Sequence, residues 1–314
     1  MQASKTRPKD YIVTAEGFYF AVVLDESEDN RIFSSLRYIK TPAGVRKINT
    51  REAFDFLKNH YPLYLFFSKR LDMETVAVPL SRITHIHRPE QTVTTLISHC
   101  PDDALSRKAA YIINYFSGKG FNPEVLGITG SLMLGFHNAA SDIDMLVYDR
   151  DTFHAARKLI QRAIENHIFS ALDDDAWLET YKRRGCALSF EEYLSHEKRK
   201  NNKFMCENTK VDISYQSQDQ NAYSISPPVT KMGILTIKAK IIDDRFIFDY
   251  PARYAVDHED IKQILVYTAT YYGQGFKDET IEARGMIECD AGNKKYMVIG
   301  TSREAPGEFI RVIA

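Results

Sequence analysis

The stretch that most restricts the fold is Leu126–Asp149, LGITGSLMLGFHNAASDIDMLVYD. Two apolar runs, EVLGIT and DIDMLVY, read as short strands bounded by turn-forming residues. Ten residues separate Ser131 from Asp142. That is enough for a helical turn, expected over Ser131–Phe136, that returns the chain to a neighbouring strand. Gly130-Ser131 then ends the first strand, and two carboxylates, Asp142 and Asp144, open the second. Side chains alternate along a strand, so Asp142, Asp144 and Leu146 share one face and Ile143, Met145 and Val147 the other. Burying two adjacent carboxylates without a partner is costly. A divalent cation removes that cost, and Mg²⁺ prefers a few carboxylates with water and phosphate oxygens.

The Gly-Ser pair fits the same chemistry. Backbone N–H groups at the start of a helix bind phosphate, a serine hydroxyl adds a donor, and glycine lets the backbone approach closely. A third acid, Asp212, lies within another strand pattern, TKVDISY (Thr209–Tyr215). Three carboxylates can hold two metals about 3.5–4 Å apart. Asp142 and Asp144 would bridge both ions, while Asp212 would bind the catalytic ion and orient or deprotonate an acceptor hydroxyl.

GITGSLMLGFHNAASDIDMLVY followed by KVDISY resembles the nucleotidyltransferase superfamily related to DNA polymerase beta, which shows a GS pair, a DxD strand and a later strand aspartate. The resemblance covers Asp102 to about Gln216. The wider chain, including YIVTAEGFYFAVV and HEKRKNNKF, is similar to uncharacterised predicted nucleotidyltransferases with an extra N-terminal domain. The resemblance implies transfer of an NMP from an NTP to an acceptor hydroxyl, with release of pyrophosphate. Mg²⁺ is the implied cofactor, and Mn²⁺ can substitute. Asp142, Asp144 and Asp212 would be catalytic and metal-binding, and Gly130 and Ser131 would hold the β- and γ-phosphates. The 64 residues from Tyr148 to Val211, between the DxD strand and Asp212, exceed a minimal helix-plus-loop connection.

A chain of 314 residues is too long for one ordinary core. The expected class is a multidomain α+β protein. A small N-terminal α/β domain would occupy residues 1–98, a polymerase beta-like mixed sheet with helices 99–222, and a small C-terminal OB-like β-barrel 223–314. In the first, Tyr11–Asp25 and Arg31–Thr41 read as strands, Thr50–Pro62 as a helix, and Leu63–Phe67 and Arg82–His87 as further strands. Helical spacing marks Asp102–Phe116 and the segment after Asp151. SISPPVTK (Ser224–Lys231) reads as a linker. Five strand-like runs in the last 85 or so residues give the barrel or sandwich.

The 41 basic and 42 acidic residues leave no global pull toward nucleic acid or anionic lipid. Two local clusters stand out: YKRRG with Lys182, Arg183 and Arg184, and HEKRKNNK with His196, Lys198, Arg199, Lys200 and Lys203. Lys198 and Arg199 are the candidates for binding NTP or an acceptor's phosphates. The competing reading is a charged helix face, given Glu191, Glu192 and Glu197 nearby. Tyr250, Tyr254, Tyr267, Tyr271 and Tyr272 could stack bases on a barrel face, or form its core. Asp173–Asp175 reads as a loop or helix start, His85 and His87 as structural, and His137 as a loop residue near the motif. The four cysteines, Cys100, Cys186, Cys206 and Cys289, show no metal spacing and imply a reducing compartment. No apolar run approaches a membrane span and the N-terminal residues lack a signal-peptide core; a cytoplasmic protein is expected. The acceptor stays open between RNA or single-stranded nucleic acid, a small molecule and a protein. The competing function is a nucleic-acid-binding or regulatory protein with a silent transferase core.

Overall fold

Aromatic and β-branched residues alternate through the first segment and build antiparallel strands. The computed structural model describes residues 6–99, 101–217, 228–302 and 305–313. Cys100 and the first half of the expected linker, Ser224–Pro227, lie outside the described residues. The chain divides into two compact units, Met1–Tyr148 and Asp149–Ala314, a division that falls inside the expected 99–222 segment.

In the first unit, β1 (Tyr11–Thr14), β2 (Tyr19–Glu28), β3 (Arg31–Thr41) and β4 (Gly44–Lys47) precede helix α1 (Thr50–His60). Strands β5 (Leu65–Ser68), β6 (Met73–Pro79) and β7 (Ile83–His87) follow. The sheet runs β5-β6-β3-β2-β1-β7, with β4 on β3. The single strand expected over Tyr11–Asp25 is a hairpin. Gly17, at φ +77, turns the chain where its N–H donates to the Thr14 carbonyl at 2.9 Å. Helix α1 starts where Asn49 accepts from the Glu52 N–H at 2.9 Å and ends before Pro62. It buries Ala53 and Leu57 against Ile12, Phe20, Leu36 and Val78 of the sheet.

Helix α2 (Pro89–Ser98) was not expected; Pro89 sits in its first turn, where the missing N–H has no partner to lose. Helix α3 (Ala104–Gly118) buries Leu105, Ala109, Ile112, Ile113 and Phe116, the stripe read from the sequence. Strand β8 (Leu126–Thr129), short helix α4 (Gly130–Leu134) and strand β9 (Ile143–Val147) complete the unit.

The second unit opens with α5 (Arg150–Glu165), α6 (Asp174–Arg184) and α7 (Phe190–Lys200). Asp173 caps α6 by accepting from the Ala176 N–H at 2.8 Å, so the acidic triplet is a helix start. A capping box between Ser189 and Glu192 starts α7. Strands β10 (Lys203–Cys206) and β11 (Thr209–Tyr215) pair antiparallel. Then come β12 (Thr230–Phe246), β13 (Ala252–Asp257), β14 (Gln263–Val266), β15 (Thr280–Cys289), β16 (Lys295–Ile299) and β17 (Phe309–Val312). The long β12 changes partner at Lys240: its first part pairs with β15 and its second with β13. Pairing continues through β14 and β16 to β15, returning to β12. β14 and β16 run parallel, and the other pairings of this sheet are antiparallel. The architecture is mixed α+β with several sheets. Among the described residues no helix is long and apolar enough to cross a membrane.

Candidate functional site

The β8–β9 hairpin sets the geometry. All four β8 residues are buried, and Leu126 pairs with Val147 and Thr129 with Asp144. This register puts the acids at the end of the ladder nearest Gly130. Ile143, Met145, Leu146 and Val147 are buried, whereas Asp144 is exposed and Asp142 half-buried. The expected burial of both carboxylates is therefore corrected: they stand at the wet end of the strand. Beyond Asp144 both faces are covered, so the alternation read from the sequence holds only at the acidic end.

Gly130 adopts φ +74, and a Cβ there would lie 2.8 Å from Asp144 Oδ2. Glycine here is thus both a backbone requirement and the space the carboxylate occupies. Half-buried Ser131 follows it. Helix α4 spans only five residues and closes on Gly135 at φ +70, with the Phe136 N–H donating to the Ser131 carbonyl at 2.9 Å. One turn carries little of a helix dipole, so the space around Gly130 outweighs the dipole expected there. Asn138 then turns the chain into β9. Its side chain accepts from the Ala140 N–H at 2.9 Å and its carbonyl from the Ser141 N–H at 3.0 Å.

The N-terminal sheet forms a wall beside this hairpin. Tyr11, Tyr38 and Leu134 bury one another, joined by Tyr19, Ala21, Met133 and Phe136. The Phe136 ring lies 4.9 Å from that of Tyr19 and 5.4 Å from that of Tyr38. Thr129 Oγ1 donates to the Lys9 carbonyl at 2.9 Å. Burial raises the Tyr11 and Tyr38 phenols, Arg37 pulls both down, and the Asp144 carboxylate adds to the rise. No local signal marks Tyr11, Arg37 and Tyr38, which lie roughly a hundred residues or more before Asp144. His137 contacts Asp103 at 3.1 Å. His85 and His87 sit edge to face, 4.5 Å apart.

In the second unit, Asp212 lies on β11 opposite Lys203, 3.4 Å from its ammonium. Lys203 also pairs with Glu197 at 2.5 Å, and Glu197 with Lys200, which donates to the Thr270 carbonyl at 2.9 Å. Burial would raise the Glu197 carboxyl, but the two lysines outweigh it and bring it down to about 2. Burial brings Lys200 down to about 8 against the pull of Glu197. The basic cluster therefore splits. Lys200 and Lys203 are buried structural partners, Arg199 pairs with Glu279 and stacks 4.6 Å over Phe276, and Lys198 is exposed. Among the described residues no group of three or more His, Cys, Asp and Glu is gathered to hold a metal. Of the candidate base-stacking tyrosines, Tyr254 and Tyr271 are core residues: the Tyr254 hydroxyl donates to the Tyr271 carbonyl at 2.6 Å. Tyr250, Tyr267 and Tyr272 are half-buried, and Tyr250 meets the other two edge-on at 6.1 and 6.3 Å.

These features define a two-unit α+β protein with an acidic hairpin walled by its N-terminal sheet. The chain is 31% identical over 340 aligned positions to "Uncharacterized protein MJ1086" of Methanocaldococcus jannaschii, across 98% of this chain and 99% of that protein. It belongs to the same family as this archaeal protein. No family model matches the chain. No solved structure matches it either.

Proposed function

We propose that the protein is a Mg²⁺-dependent nucleotidyltransferase of the DNA polymerase beta-like superfamily, transferring an NMP from an NTP to an acceptor hydroxyl. The observation that carries this reading is the fit of Gly130 against the Asp144 carboxylate at the open end of the β8–β9 ladder. It joins the two halves of the motif, the GS pair and the DxD acids, in one place. The donors are hard carboxylate oxygens, Asp144 exposed and Asp142 half-buried, which suit Mg²⁺ or Mn²⁺. When bound, the ion neutralises phosphate charge and lowers the barrier to attack on the α-phosphorus.

Asp142 and Asp144 hold the ion. The Ser131 hydroxyl donates to phosphate oxygens, and Gly130 leaves space for the backbone to approach them. The resemblance offers Asp212, on β11 of the second unit, as the residue that would orient the acceptor hydroxyl. Of the two candidates Lys198 and Arg199, Lys198 is exposed and open to phosphate, whereas Arg199 would first have to leave Glu279. The cyclic pairing of β12–β16 supports an OB-like barrel, and half-buried Tyr250, Tyr267 and Tyr272 support RNA or single-stranded nucleic acid as acceptor. NTP as substrate fits a cytoplasmic setting.

A second reading, a nucleic-acid-binding or regulatory protein with a silent core, is favoured by the Lys203–Asp212 ion pair. One experiment separates them. The protein is incubated with each α-labelled NTP, Mg²⁺ or Mn²⁺, and a pool of RNAs, proteins and metabolites. Transfer of label, lost in Asp144→Ala, is the expected result. RNA binding without metal-dependent NTP turnover would sustain the second reading instead.

A further inference from the structure

We propose that the face of the second unit built by α5 and the end of β12 is a binding surface for single-stranded RNA. This deepens the reading of RNA as acceptor and names residues that would hold the strand.

The first ground is the interleaving of guanidinium groups and rings. Arg150 lies 4.8 Å over the Tyr215 ring and 4.8 Å over the Phe246 ring. Arg253 and Arg245 lie 4.0 and 5.3 Å over the same Phe246 ring, which is half-buried. A ring packed for a core gathers apolar neighbours; this one gathers three cations. Arg157 lies 4.2 Å over Phe248. Phe153 joins the two groups, its ring 5.9 Å from Tyr215 and 5.3 Å from Phe248. Along α5, Arg150, His154, Arg157 and Lys158 recur at i, i+4, i+7 and i+8, which is one helix face.

The second ground is charge. Asp249 is a single buried carboxylate shared by two guanidinium groups. Arg150 Nη2 donates to it at 2.9 Å and Arg253 Nη2 at 3.2 Å. Arg245 pairs with Asp243 at 2.6 Å. Arg157 meets no carboxylate among the described residues. Its Nε donates to the Lys200 carbonyl at 2.5 Å and its Nη1 contacts His154 Nδ1 at 3.3 Å. Lys158 is exposed. This face of α5 therefore sets Arg157 and Lys158 against one acid of the helix, the exposed Asp151.

An acidic peptide would meet the charge alone. Bases add stacking on guanidinium planes, which carboxylates lack. The Arg245 side chain is 73% exposed while its guanidinium lies over Phe246. A base laid on it extends that stack outward. The phosphates of the same strand then run along Arg157 and Lys158. A duplex hides its base faces, so the surface suits an unpaired strand.

The test is fluorescence anisotropy of the full chain with a labelled single-stranded RNA of about 20 nucleotides, longer than one such site, and with its duplex, over a range of salt. The variants are Arg157→Gln, Lys158→Gln, Arg245→Gln and Arg245→Lys. The control is Lys58→Gln, at an exposed lysine on α1 of the first unit. Lys158→Gln and Arg245→Gln should each weaken the single strand about fivefold or more. Each should also flatten the slope of log affinity against log salt by about 0.7. Arg245→Lys should keep the slope and still lose affinity, since the charge stays and the stacking plane goes. Lys58→Gln should match wild type. A merely structural cation would not move the salt slope. Should Arg157→Gln unfold, the variants of exposed Lys158 and Arg245 decide. Wild type that binds the single strand, with those variants matching Lys58→Gln, overturns the surface and spares RNA as acceptor. Equal binding of duplex and single strand overturns the stacking and the surface with it. Wild type that binds no RNA overturns both the surface and RNA as acceptor, while label transfer to another acceptor would still uphold the transferase.

Discussion

Gly130 and Asp144 occupy one space: a Cβ on residue 130 would lie 2.8 Å from the Asp144 carboxylate oxygen. Gly135, at φ +70 with nothing within 4 Å of its would-be Cβ, shares the backbone strain and lacks the collision. Alanine at either position should cost about 1 kcal/mol from its left-handed backbone. Only Gly130→Ala should also displace the carboxylate. Thermal melts should therefore show similar losses for the two variants, while NTP binding and transfer fall in Gly130→Ala alone. Equal activity in both would remove the link between glycine and acid.

Asp144 is exposed, so its loss should hardly affect folding. Asp144→Asn should change stability by about 0.5 kcal/mol or less, as other surface changes do. Metal-dependent NMP transfer should drop about a hundredfold or more, since the amide is a poor ligand for a hard cation. Asp142→Asn should behave alike. Parallel denaturation curves and label-transfer assays check both halves.

The buried network of the second unit makes a prediction about Asp212 that separates structure from function. Glu197 is its centre, held between Lys200 and Lys203. Glu197→Gln leaves two buried ammonium groups short of their counter-ion and should cost about 3–5 kcal/mol. Asp212→Asn leaves Lys203 paired with Glu197 and should cost about 1 kcal/mol. Chemical denaturation measures both. If Asp212→Asn proves as damaging to folding as Glu197→Gln, its acid is chiefly a structural partner of Lys203.

Asp10 makes stability of the first unit depend on pH. Burial raises its carboxyl from 3.8 to about 6, against the Arg7 N–H at 3.0 Å and the charges of Arg7 and Arg88. Its folded pKa lies above its unfolded one, so the folded state holds the extra proton between these values. Its favourable contribution is complete below about pH 4 and declines as pH rises to about 6. Asp10→Asn should flatten that slope and stabilise the unit near pH 7 by about 1–3 kcal/mol. Urea titrations of wild type and variant at pH 4, 5, 6 and 7 test it; an unchanged slope in Asp10→Asn would refute the assignment.

What the sequence showed and what it hid follow from range. Strand β3 appears at the bounds read from its composition, because alternation and flanking turns are local signals. The helical stripe of α3 appears for the same reason. The Gly17 turn was hidden within a run of aromatics, and α2 behind Pro89, which reads as a breaker unless the first helical position is considered. The DxD residues were found from spacing, although the burial argued for them was not. The split of the basic cluster was invisible, since Glu197, Lys200 and Lys203 become partners only once a helix and a strand fold together. Tyr11 and Tyr38 were missed because nothing near them in the chain names Leu134 and Phe136 as their neighbours.

The Thr129 bond to the Lys9 carbonyl and the packing of Leu134 and Phe136 on Tyr11, Tyr19 and Tyr38 bear on how this chain can be cut or recombined. Residues 1–98 are not a detachable accessory. A fragment beginning at residue 99 would carry the acidic motif with its flank stripped to apolar side chains. A chimera that grafted a foreign N-terminal domain would have to reproduce that flank residue by residue. Exchange of parts within this family is accordingly expected to spare the boundary between the first sheet and the hairpin, and the two should be inherited as one piece.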